Sequence, residues 1–466
     1  MDSQESTSIQ PLGFVFLICM GVLIWTLPRR KAVLPLLITA CYMPLGQMLV
    51  VGGMHFQLFR ILLLVGWCRI LTRRENANFK LSQLDKVFLW WAAATLLVGT
   101  MSEVSLDRFI NRAGTSYNAV GVYFLVRCWM RSLDDMLDTV RFASWMVVPL
   151  AFSMIMEKST GRNIFAAFGG VKEFTEIRDG RLRCQGAFEH PILAGTYGVT
   201  LFPMFAALWV RGGTDRMRSL VGSVATAVIA MASASSGAFL SLLAVAVGFG
   251  LWWFRGQMRL FRWGLVLVLV GLQMVMKVGV WWSIAHLSAL VGGTGWHRSY
   301  LIDQAIKHFN EWWLVGSTYT AHWAPYPGMV LMADHNNMDI TNQYILEGLG
   351  GGIWKLGLFI AMIVIGFKTI GRIVRRRGLP APSRFFVWSL GVCLGAHCVS
   401  FLSISYFDQM VLMWYWLLAV LSMLASRYVE VAPARRWVSA PGQSRLPDPG
   451  QPISEPSTPA QGQRAL

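Results

Sequence analysis

Apolar runs long enough to cross a bilayer recur along most of this sequence, and short basic clusters fill every second gap between them. A helix needs about 20 residues to span the hydrocarbon layer. Runs of that order lie near 11–28, 32–52, 55–71, 84–102, 117–131, 141–156, 191–210 and 219–234. Others follow near 237–254, 263–282, 353–371, 385–404 and 410–426. The pattern predicts an all-α polytopic membrane protein with 12–13 transmembrane helices. Composition points the same way: 14% of the 466 residues are charged, against about 25% in soluble domains, and mean hydropathy is +0.49. The 21 Trp residues suit the headgroup belts that favour amphipathic rings.

A net charge of +17 would suggest nucleic acid in a soluble chain. Here the charge sits in loops: Arg29-Arg30-Lys31, Arg69 with Arg73 and Arg74, Arg127 with Arg131, and Arg211 with Arg216 and Arg218. Arg255, Arg259 and Arg262, then Arg372 with Arg375 to Arg377, then Arg427 with Arg435 and Arg436 complete the series. The positive-inside rule explains this more simply, with these loops cytoplasmic. No nucleic-acid partner is expected.

Five segments follow. They are an extracytoplasmic tail (1–10), membrane helices (11–282), a large extracytoplasmic loop (283–352), further membrane helices (353–427) and a cytoplasmic tail (428–466). The first apolar run lacks a basic leader and a cleavage site, so it reads as a retained span. The last segment is rich in Pro, Ser, Gly, Gln and Arg and is expected to be disordered. Smaller outer loops are expected at about 103–116, 157–190, 233–236 and 405–409. The seven cysteines form no CxxC pair and no disulfide framework.

The outer loops hold the chemistry. Arg178, Arg181 and Arg183 precede Cys184-Gln-Gly-Ala-Phe-Glu-His190-Pro191, on the side where positive charge is normally depleted. Either these side chains snorkel to lipid headgroups, or their planar forks bind phosphate. Arg298 offers the same choice beside His297, at the start of an expected amphipathic helix. Its apolar residues Leu301, Ala305, Phe309, Trp312 and Trp313 would rest on the membrane, with Asp303, Lys307 and Glu311 facing water.

Further on, Asp334-His335-Asn336-Asn337-Met338-Asp339 is dense in polar groups. A free histidine titrates at about pH 6.5, so His335 is a candidate to accept a proton from a sugar hydroxyl, with Asp334 or Asp339 orienting the ring. The bland reading is a capped turn. Ser233-Ala-Ser-Ser236-Gly237 is either a tight turn or an anion site at a helix start. No HExxH, His-x-His or DxD pattern calls for a metal. No GxSxG, Walker or dinucleotide fingerprint supports hydrolase, ATPase or dehydrogenase chemistry.

Together these landmarks resemble the O-antigen ligase and O-antigen polymerase superfamily of bacterial envelope glycosyltransferases. The shared pattern is Arg183-x-x-Gly186-x-Phe188 with Pro191 before a span, then Ser235-Ser236-Gly237, then an outer loop with Arg298 early and His335-Asn336 late. The resemblance covers about residues 180–360. It implies a GT-C-like enzyme in the bacterial inner membrane that needs no cofactor. The implied donor is a glycan on undecaprenyl diphosphate, and the acceptor is a sugar hydroxyl on another glycan or on lipid A-core. Other polysaccharide-assembly proteins are possible partners in such a system.

By position, Arg183, Arg181, Arg298 and Ser236 would hold the diphosphate, while His335, Arg298 and Asp339 would be catalytic. One departure stands out. The family's His-Asn register, followed by Tyr, falls on Thr341-Asn342-Gln343-Tyr344 here, which puts His335 six residues early. His335 is the expected base, with Asp339 and His322 as alternates. The competing classes are a transporter or flippase of lipid-linked saccharides, and an envelope scaffold.

Overall fold

Residues 10–46, 48–51, 54–76, 79–102, 104–178, 180–289, 295–325, 337–376 and 378–430 are described in a computed structural model. The expected outer tail before residue 10, the C-terminal tail beyond residue 430 and the Asp334-His335-Asn336 element lie outside the described residues. The protein is mostly helical. Among the described residues, six helices are long and apolar enough to cross a membrane: Gln83–Met101, Leu133–Thr160, Pro191–Arg211, Arg255–Val275, Gly352–Val374 and Gln409–Tyr428. Pro11–Thr26 and Ser236–Gly250 are apolar but shorter.

In chain order the helices begin with α1 (Pro11–Thr26), α2 (Leu34–Tyr42), α3 (Leu58–Thr72), α4 (Gln83–Met101), α5 (Leu106–Trp129) and α6 (Leu133–Thr160). Then come α7 (Pro191–Leu208), α8 (Thr214–Ala232), α9 (Ser236–Gly250) and α10 (Met258–Val275). The polar stretch carries α11 (Ser283–Ala289), α12 (Gly295–Lys307), α13 (Phe309–Trp312) and α14 (Gln343–Leu349), and α15 (Gly352–Val374), α16 (Ala381–Ser400) and α17 (Gln409–Tyr428) close the bundle. Starts follow local chemistry. Ser82 and Asp85 form a reciprocal capping box on α4, and Ser132 caps α6 through the Asp135 N–H.

The run 32–52 is not one helix. Met43 turns extended ahead of Pro44 and stops α2 after nine residues. An antiparallel hairpin follows, β1 (Met48–Val51) with β2 (Met54–Gln57). A second hairpin pairs β3 (Glu176–Arg178) with β4 (Arg181–Arg183). Among the described residues the helical fold thus carries two small hairpins.

Contacts separate the bundle into two ends. At one, buried Arg69 donates to Leu27 O at 2.7 Å and pairs with Glu75 at 2.8 Å. Arg127 pairs with Asp85 at 2.9 Å, Arg30 with Asp135 at 3.4 Å, and Arg141 and Arg218 with Asp215 at 2.7 and 2.8 Å. At the other end, Gln409 Nε2 donates to Met43 O (3.0 Å) and Ala187 O (2.7 Å), Cys184 N donates to Ala232 O, and Gln343 N to Phe401 O. The basic clusters therefore share an end with acids, and the small polar loops share the opposite one.

Small residues let α7 and α8 approach closely. A Cβ at Gly198 would meet Thr226 O at 2.6 Å, and one at Gly195 would meet Ser233 Oγ at 2.3 Å. By contrast α10 has no buried residue. An apolar helix so exposed suits lipid rather than water.

The amphipathic helix expected over 300–313 breaks at His308, between α12 and α13. Its apolar face does not simply rest on a membrane. Leu301, Ala305 and Trp312 are buried with Trp323, Met338, Ile345 and Leu349 in a small core of the polar stretch's own. Phe309 and Trp313 remain exposed. The partners that make this core lie up to 48 residues away in sequence, from Leu301 to Leu349, beyond the reach of helical periodicity.

Candidate functional site

The segment between α6 and α7 is shaped by one buried carboxylate. Glu157 accepts from Gln185 N at 3.0 Å, Gly186 N at 2.9 Å and Thr175 Oγ1 at 3.1 Å. Gly186 has φ 58°, a left-handed geometry that glycine adopts without penalty. Asn163 Nδ2 closes the loop by donating to Gly186 O at 2.7 Å.

This brace sets the hairpin above it. Glu176 lies opposite Arg183, and Arg178 opposite Arg181, so all four share one face. Arg183 is 7% exposed and donates to Glu176 Oε1 at 2.8 Å. Arg178 and Arg181 are exposed. Beyond the loop, His190 caps α7, its Nδ1 accepting from Ile192 N at 3.2 Å. Burial, with Arg183 next in weight, Lys172 and Arg178 adding and Glu176 opposing, pushes the imidazole down to about 4. The ring is neutral at pH 7, and its cap fixes the remaining proton on Nε2.

Cys184 N, bonded to Ala232 O at 3.1 Å, ties this loop to the Ser turn. That turn reverses through Ala234 at φ 46°, a region that costs a side-chain-bearing residue about 1–2 kcal/mol. It delivers Ser236 to the first position of α9, whose preceding Ser235 makes no side-chain cap. The Arg298 guanidinium, 4% exposed, reaches to 3.5 Å from Ser236 Oγ. Burial and then the Arg178 charge lower its pKa to about 10, so it stays cationic. A positive helix end and two guanidiniums converge here, which is the electrostatic make-up of an anion site.

One residue before Arg298, His297 Nε2 lies 3.2 Å from Asp339 O. Burial raises the Asp339 carboxyl and the His297 charge opposes it; burial lowers His297 and Asp339 opposes that. Asp339 is thus brought to the helix that carries Arg298. His335 lies outside the described residues. Asn342 is a helix cap, its Oδ1 accepting from Tyr344 N and Ile345 N, and Thr341 Oγ1 is buried without a hydrogen-bond partner among the described residues.

Arg298 thus reaches Ser236, and Asp339 meets His297 on the same helix, while Arg183 is bonded to Glu176 on the hairpin. Arg181 shares the hairpin face of Arg178. His322 stands apart, bonded to Glu311. The sequence grouped Arg178 with Arg181 and Arg183 as possible phosphate binders; the hairpin register adds that all three share a face with Glu176. Sequence reasoning passed over the His297 link to Asp339, which depends on a contact 42 residues long. No protein-family model matches the sequence, and no curated protein does.

Proposed function

We propose that this protein is a membrane glycosyltransferase of the O-antigen ligase or polymerase type, working at the outer face of the bacterial inner membrane. The observation that carries the reading is the buried Arg298 held against Ser236 at the start of α9 and beside Arg178. Such an arrangement suits a diphosphate, whose charge grows as its bond to a sugar breaks. In the proposed reaction the acceptor hydroxyl oxygen bonds to the anomeric carbon of a lipid-linked glycan. The bond from that carbon to the diphosphate oxygen breaks, and lipid diphosphate leaves with the electron pair. Arg298, Arg178 and Arg183 offset the charge that develops, while His335 or Asp339 takes the hydroxyl proton. No cofactor enters.

The family resemblance implies a GT-C-like bundle, and the positive-inside rule applied to the two ends supports an outward polar stretch. The pair Asp85–Arg127 sits near helix ends, and Glu347–Lys355, beside Trp91 midway along α4, is neutralised by its own pairing. A transporter would instead be expected to line a midplane path with ionisable groups.

Deleting the gene and separating envelope polysaccharide on a gel tests the reading. Bare acceptor indicates a ligase, and acceptor bearing single repeat units indicates a polymerase. Unchanged polysaccharide rejects both. Complementation with Asp339→Asn alongside His335→Ala then identifies the base.

A further inference from the structure

His308, Glu311 and His322 come from three separate pieces of the polar stretch. His308 is the break between α12 and α13, Glu311 lies in α13, and His322 sits in a single 3-10 turn, Ala321–Trp323. Their ligating atoms all lie within 4.8 Å of one another. His308 Nδ1 is 2.6 Å from Glu311 Oε1, and His322 Nε2 is 3.0 Å from Oε2. We propose that these three side chains form a binding site for a divalent transition metal of the zinc class, independent of the transfer reaction.

The donor set is the first reason. Two imidazole nitrogens and one carboxylate oxygen suit zinc, with a fourth position left for water. Metal–ligand bonds of roughly 2.0–2.1 Å put neighbouring donors of a tetrahedron about 3.3 Å apart, between the 2.6–3.2 Å His–Glu distances and the 4.8 Å span of the cluster.

Pre-organisation is the second. Trp323 Nε1 donates to Glu311 Oε2 at 3.2 Å, the kind of outer contact that aims a ligand. His308 stacks on Trp323 and His322 on Tyr319, with interplanar angles of 20° and 13°. Trp323 is itself fixed in the small core, and Tyr300 Oη donates to its carbonyl at 3.0 Å. The three ligands are 29–35% exposed, so a metal can enter from water.

Position decides the role. His308 is ten residues along from Arg298, about 15 Å at the helical rise. A metal there cannot reach a diphosphate on Arg298. It would instead staple the turn at 320–323 to the end of α12. The same turn holds the segment that carries Asp339, through Met338 N donating to Thr320 Oγ1 at 3.0 Å.

The test uses the full-length, untagged chain in detergent, stripped with chelator and titrated with cobalt(II), then zinc. The expected result is visible cobalt absorption of tetrahedral intensity that saturates at one equivalent per chain and is displaced by zinc. His322→Gln and Glu311→Gln should each weaken uptake at least about tenfold, while His286→Ala leaves it unchanged. Size-exclusion profiles establish which variants remain folded, and the paired Gln variants guard against loss of fold in one. No stoichiometric uptake by the wild-type chain, or uptake equal in the folded Gln variants, overturns the proposal and leaves an ion-pair bridge only.

Discussion

Arg298 combines burial, a like-charged neighbour and a hydroxyl at a helix start, the surroundings in which a guanidinium binds phosphate oxygens. Replacing it with Ala should lower transfer by roughly 10²-fold, the scale of a lost transition-state donor. Arg298→Lys keeps the charge and loses the planar fork, so a loss of at least about tenfold is expected. Rates with a lipid-diphosphate donor in membranes check both, and Lys at the wild-type rate would show that charge alone suffices. His190 gives a pH signature at the same place. Its folded value, about 4, lies below the ordinary 6.5. Between those values the unfolded chain binds more protons, and stability falls as pH drops through that window. His190→Asn keeps an acceptor for the Ile192 N–H without the titration. Thermal unfolding between pH 6.5 and 4.5 should show a shallower decline for the variant.

The elements show why the sequence yielded some of this and withheld the rest. Helices such as α4, α15 and α17 were legible because twenty apolar residues in lipid have few alternatives to a helix. The hairpins were not, since three- and four-residue strands leave almost no period to read, and so the pairing of Arg183 with Glu176 stayed hidden. Nor was the brace under that hairpin legible. Glu157 reads as the polar end of a span, yet it collects two backbone N–H groups and a hydroxyl that lie 18 to 29 residues on. Glu157→Gln turns one acceptor into a donor facing an N–H. A loss of roughly 2–3 kcal/mol is expected, the scale of hydrogen bonds to a buried charge. Amide exchange at Gln185 and Gly186 should quicken while α4 and α5 keep their protection. Uniform acceleration across the bundle would mean that Glu157 supports the whole fold rather than this loop.

For the molecule as a whole, the charge alternation forecast two faces, and the contacts gather the two kinds of loop at opposite ends. What composition concealed is that acids Glu75, Asp85, Asp135 and Asp215 sit among the basic clusters. The positive-inside rule counts Lys and Arg rather than net charge, so the forecast orientation survives these pairs. That orientation decides which donors the site can meet, because lipid-linked glycans face outward and nucleotide sugars do not. Cysteine labelling reads it directly. In a chain whose exposed Cys19 and Cys68 are changed to Ser, Lys172→Cys and Arg216→Cys place thiols at exposed positions on opposite ends. A membrane-impermeant maleimide applied to spheroplasts should label position 172 at once and position 216 only after lysis. The reverse pattern would put Arg183 and Arg298 in the cytoplasm, where the diphosphate they would meet is that of a nucleotide sugar, and the transfer proposed for this site would have to be abandoned.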